Sequence, residues 1–454
     1  MTRKMKDSGI EWIGEIPEDW EIVKLKHLAL DRQAGVWGKD ESQDNLTNNK
    51  ICIRIADFDY PRMTIRKDRE FTLRNYTDNE ISKCSLQKGD ILIEKSGGGE
   101  KTPVGRTIIW NEDFQALYAN FIERLRVDKK QILPMFAQFC FFAFYGIGGS
   151  NLYFNQTTGI QNLNITGMMN DLRLPTPDLS TQIKIVDILD RKRNQIEIIK
   201  STIIKEIQTL EDYKKSVITE AVTRGLDKNV EMKGSGIEWI GQIPKHWSLN
   251  KIKNCADIFG RIGYRGYTQN DIVDEGEGAV SLSPSNMVNG EVMYNNNTFI
   301  TWEKYNESPE IKVKNGDIIM VKTGSSYGKV AFLRNLEHKS TINPQLVVFK
   351  TKHIINSYLY YFMNSNYFDY QVEMSVTGGT IPTMSQEKIK NFYFMTPKID
   401  EQNRIVAYLD AKCEFINDSI AIKQKQLETL EEYKKSLIYE YVTGKKEVKD
   451  GEET

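Results

Sequence analysis

Two glycine-rich segments carry the residues best suited to chemistry. The first is Lys95-Ser96-Gly97-Gly98-Gly99-Glu100-Lys101-Thr102-Pro103-Val104-Gly105-Arg106, and the second is Lys322-Thr323-Gly324-Ser325-Ser326-Tyr327-Gly328-Lys329. Each opens with Lys and a hydroxyl residue and closes with Gly and a cation. Backbone amides freed by glycine, hydroxyls and cations in close sequence suit contact with phosphate groups. They do not make a nucleotide-binding P-loop. That pattern needs Gly directly before the Lys-Thr pair, where Glu100 stands. No helical pattern follows, and the second segment lacks the pair. The plainer reading of both segments is a turn between strands.

Other loops combine aromatics, amides and cations. Gly35 to Lys39 contains Trp37 and Lys39, and Gly260 to Tyr267 contains Arg261, Tyr264, Arg265 and Tyr267. Asn151 to Asn164 contains Tyr153, Asn155, Gln156 and Gln161, and Thr377 to Ser385 contains Thr380. Arg can bond guanine edges and Asn or Gln adenine edges, so these are side chains of base readout. The set is a candidate surface for double-stranded DNA as a group; any single member reads equally well as a solvated loop residue. Catalytic chemistry is not visible. His27, His246, His338 and His353 form no metal-spaced cluster, and there is no nucleophile elbow or dinucleotide loop. Nor is there an Asn-Pro-Pro-Phe or Asp-Pro-Pro-Tyr element of amino-methyltransferases. Neither a metal nor a cofactor is expected on this chain.

The elements around these loops read as α/β or α+β. Ile51, Ile53 and Ile55 alternate with Cys52, Arg54 and Ala56, as in a half-buried strand. Asp90 to Lys95 and Asp317 to Lys322 read as strands entered from Lys-Gly and Asn-Gly turns. Ile108 to Trp110, Val330 to Leu333 and Leu346 to Phe349 read as further strands. The aromatic run Phe136 to Ile147 reads as a buried helix, being too short for a bilayer.

The chain also repeats itself. Ser-Gly-Ile-Glu-Trp-Ile-Gly begins at Ser8 and again at Ser235, an offset of 227 (235 minus 8), and each copy leads to Ile-Pro and a Trp, Trp20 or Trp247. Lys88 to Gly97 and Asn315 to Gly324 match at the same offset. LEDYKKSVITEAVT ends at Thr223 and LEEYKKSLIYEYVT at Thr443, an offset of 220. Three echoes in one order imply a tandem duplication with small deletions between them. Two similar domains related by a pseudo-twofold axis are expected.

Each half closes with a stretch lacking Pro and Gly, Ser180 to Thr223 and Glu401 to Thr443. Each predicts a helix about 60 Å long at 1.5 Å per residue. Pro177 and Pro397 mark the starts, with Asp178 or Ser180 and Asp400 as candidate N-caps, and Gly225 and Gly444 mark the ends. Leu189, Ile196, Ile203, Leu210 and Val217 fall at sevens, as do Leu409, Ile416, Leu430 and Leu437, with Lys423 interrupting the second series. The companion positions are mixed in the first helix, where Arg193, Lys200 and Lys214 interleave with Val186 and Ile207. Such heptads predict antiparallel pairing of the two helices, with the mixed domains held apart. The competing reading is an ordinary amphipathic helix on each domain.

Composition bounds the remaining possibilities. The chain has 454 residues, 40% hydrophobic and 27% charged, so two or more globular domains are expected. A net charge of −1 is unlike a free-standing nucleic-acid binder. Basic groups must then be gathered on one surface, or partners supply charge. Five scattered cysteines without a C-x-x-C pair fit a reducing cytoplasm. Asp7-Ser8-Gly9 follows the N-terminal Lys residues where a signal peptide would be apolar, and no membrane association is expected.

With these motifs together, the chain resembles the specificity subunit of type I restriction–modification systems over nearly its whole length. The resemblance rests on the doubled Ser-Gly-Ile-Glu-Trp-Ile-Gly…Ile-Pro…Trp segment and the Lys-Gly-Asp-Ile-Leu…Lys-Ser-Gly-Gly-Gly run. It rests also on Gln182 with Leu189-Asp190, Gln402 with Leu409-Asp410, and the doubled Leu-Glu-x-Tyr-Lys-Lys-Ser. It implies a first target-recognition domain at 1–178, a spacer helix at 179–226, a second domain at 227–398, a second helix at 399–444 and a charged tail at 445–454. It implies that each domain reads one half of a bipartite site and that the helices set the gap. It implies two methyltransferase subunits docked on the helices, using S-adenosylmethionine, and two motor and nuclease subunits using ATP and Mg. Those cofactors would belong to the partners. A single-chain restriction or methylation enzyme would need catalytic motifs and a longer chain. A coiled-coil scaffold would leave the doubled loops unexplained.

Overall fold

The computed structural model describes residues 3–100, 102–157, 160–376 and 382–448, with backbone alone at 156, 157 and 264. It divides into two compact units, Met1–Thr202 with Lys425–Thr454, and Ile203–Gln424. The division falls inside the long helices rather than at their ends. Each unit therefore holds one mixed domain and a part of both helices.

The first unit centres on an antiparallel sheet in the order Thr107–Ile109, Ile91–Glu94, Ile122–Val127, Ala29–Ala34. The second unit repeats it with Val330–Phe332, Ile318–Val321, Leu346–Thr351 and Ala256–Gly260. The central strands are apolar at successive positions because both faces are covered. Ile91 and Ile93 join one core while Leu92 joins another, and Ile318 and Met320 are separated from Ile319 and Val321 in the same way. A second sheet backs each unit, with three strands in the first and five in the second. In the first, Asn49–Ile53 lies between Ala116–Tyr118, to which it is parallel, and Thr72–Asn75. In the second, Gly278–Leu282 takes the central place beside the parallel Ser340–Ile342. The expected alternation over Ile51 to Ile55 stops early: Cys52 and Ile53 are both buried, and Ile55 already opens a 3-10 turn. The buried helix expected at Phe136 to Ile147 is Pro134–Gly146.

The long helices are single elements of 46 residues, Leu179–Arg224, and 44 residues, Ile399–Val442. Asp178 caps the first, accepting from the Ser180 and Thr181 amides at 2.9 and 3.1 Å. Asp400 is not the cap of the second; it lies within the first turn, where its charge meets the helix N-terminus. In the first turn of each helix, Gln182 and Gln402 are fully buried. Gln182 accepts from the Leu133 amide at 2.8 Å and donates to the Pro177 carbonyl at 2.8 Å. Gln402 repeats both bonds, to Ile355 at 3.0 Å and Pro397 at 2.9 Å. Each glutamine thus ties its helix start to the mixed domain.

Within each unit the two helical segments run antiparallel. In the first, Glu197 meets Lys434 at 3.1 Å and Lys200 meets Glu431 at 2.6 Å. In the second, Glu206 meets Lys423 at 2.6 Å and Lys214 meets Asn417 at 2.8 Å. Of the heptad residues, Leu189, Ile196, Ile203, Val217, Leu409, Ile416 and Leu437 are buried, and Leu210 and Leu430 are half-buried.

The doubled Trp segment proves to be architectural. Met5–Asp7 pairs with Glu15–Pro17 and Met232–Gly234 with Gln242–Pro244, forming two hairpins. Ile13, Ile16 and Trp20 bury against Tyr441 and Val442 at the end of the second helix. Ile240, Ile243 and Trp247 bury against Ala221 and Val222 at the end of the first. Gly444 turns away at φ +71°, and a Cβ there would lie 2.4 Å from Pro17 Cδ. Each hairpin therefore seats a helix end, which explains why the same residues occur twice.

Candidate nucleic-acid interface

The candidate loops are joined by backbone pairing in both units. In the first, Ser96 and Gly97 lie opposite Asn162 and Gln161, and this Ile160–Leu163 strand pairs in turn with Phe154–Thr157. Lys95, Ser96, Asn155, Gln156 and Gln161 thereby share one ribbon. In the second, Thr323 bridges Thr383, Gly324 donates to the Pro382 carbonyl at 3.1 Å, and Met384 donates to the Lys322 carbonyl at 2.9 Å. The returning segment opens a short helix each time, capped by Asn164 and by Ser385. The sequence marked these segments as separate loops; the sheet brings them together.

Individual side chains differ in what remains open. Arg106 grips the buried Glu94 through two bonds of 2.8 and 3.0 Å and stacks on the Tyr60 ring at 3.8 Å. Lys95 reaches Glu123 at 3.4 Å, which also holds Arg32 at 3.2 Å. Ser96 donates to the Asn162 side chain. Gln161 is buried and accepts from the Val104 amide at 3.1 Å. Tyr153 packs beside Phe144, while Asn155 is exposed on its strand. Lys101 and Thr380 lie outside the described residues, and for Gln156 and Tyr264 only the backbone is described.

Trp37 and Lys39 stand apart from the ribbon, beside the Thr72–Asn75 strand. Lys39 is exposed and bridges Asn75 through backbone bonds of 2.9 and 3.0 Å. Trp37 lies exposed under the Arg74 guanidinium at 4.7 Å. Arg74 and Tyr60 were missed by the sequence reading because neither sits in a glycine-rich or amide-rich stretch.

In the second unit, Arg261 is buried among neutral acceptors, the Ile342 and Arg265 carbonyls and the Thr341 hydroxyl, at 3.1 to 3.2 Å. Burial draws its guanidinium below the ordinary arginine range, against the pull of more distant carboxylates. Tyr267 lies 5.6 Å from it, and Arg265 reaches Glu310 at 3.5 Å. Ser325 is exposed, Ser326 and Tyr327 are half-buried, and Lys329 donates to the Met287 carbonyl. Lys322 is half-buried, and burial lowers its ammonium from the usual lysine value.

Among the described residues, no group of three His, Cys, Asp or Glu side chains could hold a metal ion. Among them too, no helix is long and apolar enough to cross a membrane. All five cysteines are buried as free thiols.

Residues 17–209 and 250–432 each match the family described as Type I restriction modification DNA specificity domain. The chain belongs to this family. It is a specificity subunit, a DNA-recognition component rather than a catalytic one. Among its relatives, the type I restriction enzyme MjaVIII specificity subunit of Methanocaldococcus jannaschii is 26% identical, over 64% of this chain and 66% of that one. The type I restriction enzyme EcoKI specificity subunit of Escherichia coli K12 is 23% identical, over 90% and 86%. A chain from a structure of an assembled type I R-M system has the same fold, with a TM-score of 0.65 at 14% identity, covering 94% of this subunit and 98% of that chain.

Proposed function

We propose that this subunit reads a bipartite, asymmetric double-stranded DNA target, one half-site per mixed domain. The observation that carries this is the doubled ribbon. Each unit pairs its glycine-rich Lys-Ser or Lys-Thr segment with a returning polar segment, from sequences that otherwise differ. Equivalent scaffolds with unlike side chains fit two unlike half-sites. Asn155, Lys39 and Trp37 in the first domain and Lys322, Ser325 and Lys329 in the second are among the exposed or half-exposed members.

The gap between half-sites is set by the two long helices, which have no internal break. They also dock the partners: two adenine-N6 methyltransferase subunits and, in the restricting complex, two motor and nuclease subunits. Tyr408, Phe415 and Ile422 recur at sevens on the second helix and are all exposed, which makes this stripe the proposed methyltransferase seat. S-adenosylmethionine, ATP and Mg are used by those partners and not by this chain. The complex works in the cytoplasm.

Inserting one heptad into each helix tests the ruler. Seven residues add about 10 Å. At roughly 3.4 Å per base pair, the recognised gap should widen by about three base pairs. A complex that keeps the original gap, or tolerates any gap, would refute the helices' role.

A further inference from the structure

The two ribbons are alike in backbone and unlike in charge. Sheet register fixes the comparison: Glu94 lies opposite Ile122 in the first domain, and Val321 lies opposite Leu346 in the second. One position along, Glu123 faces Ile93, and Val347 faces Met320. Both carboxylates of the first ribbon are thus replaced by valine. Arg106 and Lys329 correspond as well, each directly preceding the strand residue that faces Ile93 or Met320.

The consequence is electrostatic. In the first domain Lys95 and Arg106 are each met by a carboxylate, and Arg32 shares Glu123. In the second domain Lys329 donates to the Met287 backbone carbonyl and has no ion pair among the described residues. Lys322 has no ion pair among the described residues. A half-buried cation without a counter-ion, on the same turn as the exposed Ser325, is poised for an anion to complete it.

We propose that Lys322 is the phosphate anchor of the second domain, and that Glu123 has withdrawn Lys95 from the same role in the first. The proposal rests on the DNA-reading function above. It makes the halves unequal: the second contributes the larger salt-sensitive part of the affinity, and the first depends more on side chains that meet base edges. A lysine point charge on a phosphate adds affinity without sequence preference.

The test uses the full subunit assembled with its methyltransferase partners and a duplex containing the methylated target. Dissociation constants are measured from 50 to 200 mM salt. Each phosphate contact adds about 0.9 to the slope of log affinity against log salt, so losing one should reduce the loss of affinity across this range by about 3.5-fold. Lys322→Gln is expected to show that reduction and Lys322→Arg to restore the slope. Lys95→Gln is expected to change the slope by less than half as much. Sequence preference among altered targets should be unaffected by Lys322→Gln. An unchanged slope in Lys322→Gln, or an equal effect of Lys95→Gln, would overturn the proposal while leaving DNA reading intact. Failure of the wild-type complex to bind the duplex would overturn the functional reading itself.

Discussion

Lys434 offers a sharp test of how the helices hold together. Its side chain is 1% exposed, yet it carries a charge, meeting Glu197 at 3.1 Å and Glu431 at 3.0 Å. It also donates to the Pro61 carbonyl at 3.4 Å, tying the helix pair to the mixed domain. Removing one member of a buried ion pair costs roughly 3–5 kcal/mol, because the other charge is stranded. Here Lys200 stays 2.6 Å from Glu431 and 3.6 Å from Glu197, so the stranding is partial. Lys434→Met, which keeps the buried stem, is therefore expected to cost about 2–3 kcal/mol. For a domain of this size that lowers Tm by roughly 5–10 °C. The repeat supplies the control. Lys214 stands 220 positions earlier (434 minus 214), meets the neutral Asn417 and has no ion pair among the described residues. Lys214→Met should cost less than about 1 kcal/mol. Calorimetry of the full chain reads both variants. Burial pushes the Glu431 carboxyl up, but Lys200 and Lys434 overcome this and hold it below the usual range. A depressed carboxylate contributes stability above its unfolded pKa, about 4.3, and loses it as pH falls through the folded value. The gap between wild type and Lys434→Met should accordingly close below about pH 4. A methionine variant as stable as wild type at neutral pH would refute the reasoning. It would mean that desolvation of the cluster cancels its attraction.

Two further outcomes follow from the helix ends. Hydrogen bonds from Ser180 and Thr181 hold the Asp178 carboxyl down to about 2. Asp178→Ala should destabilise the first unit by about 1 kcal/mol at neutral pH. That difference should fade in thermal melts as pH falls from about 4 toward 2, where the wild-type cap is itself protonated. Gly444→Ala combines a left-handed backbone with a Cβ 2.4 Å from Pro17, whereas Gly9, at φ +67°, has open space around it. We expect losses of about 3 kcal/mol for Gly444→Ala and about 1 for Gly9→Ala in denaturant unfolding. Equal losses would show that the hairpin does not seat the helix end.

Much of this architecture is written locally. Heptads at Leu189 to Val217 and Leu409 to Leu437, bounded by Pro and Gly, specify helices whatever surrounds them. The repeat at an offset of 227 likewise shows in the residues that seat a helix end, because Trp20 and Trp247 face the same packing problem. Other features depend on register, which no local pattern carries. Glu94 reads as one polar residue at the end of an apolar strand; only the fold puts Arg106 and Tyr60 on it. Gln161 and Arg261 have the chemistry of base readers, but the fold buries both and uses them inside the domain, Gln161 from a paired strand and Arg261 through side-chain bonds to neighbouring backbone and Thr341. The joining of Ser96 with Asn162 spans 66 residues and is set by the sheet, not by either loop. Asp400 was misplaced as a cap because the second helix begins one residue before it.

We propose that this subunit alone decides which DNA sequence its complex modifies, through two domains reading two half-sites. Single-molecule methylation mapping of DNA from cells with the subunit and its methyltransferase partner, against cells lacking only the subunit, addresses it most directly. A gapped, asymmetric motif with methylated adenine on both strands is expected, present only with the subunit. A continuous motif, or the same methylation in both strains, would contradict it.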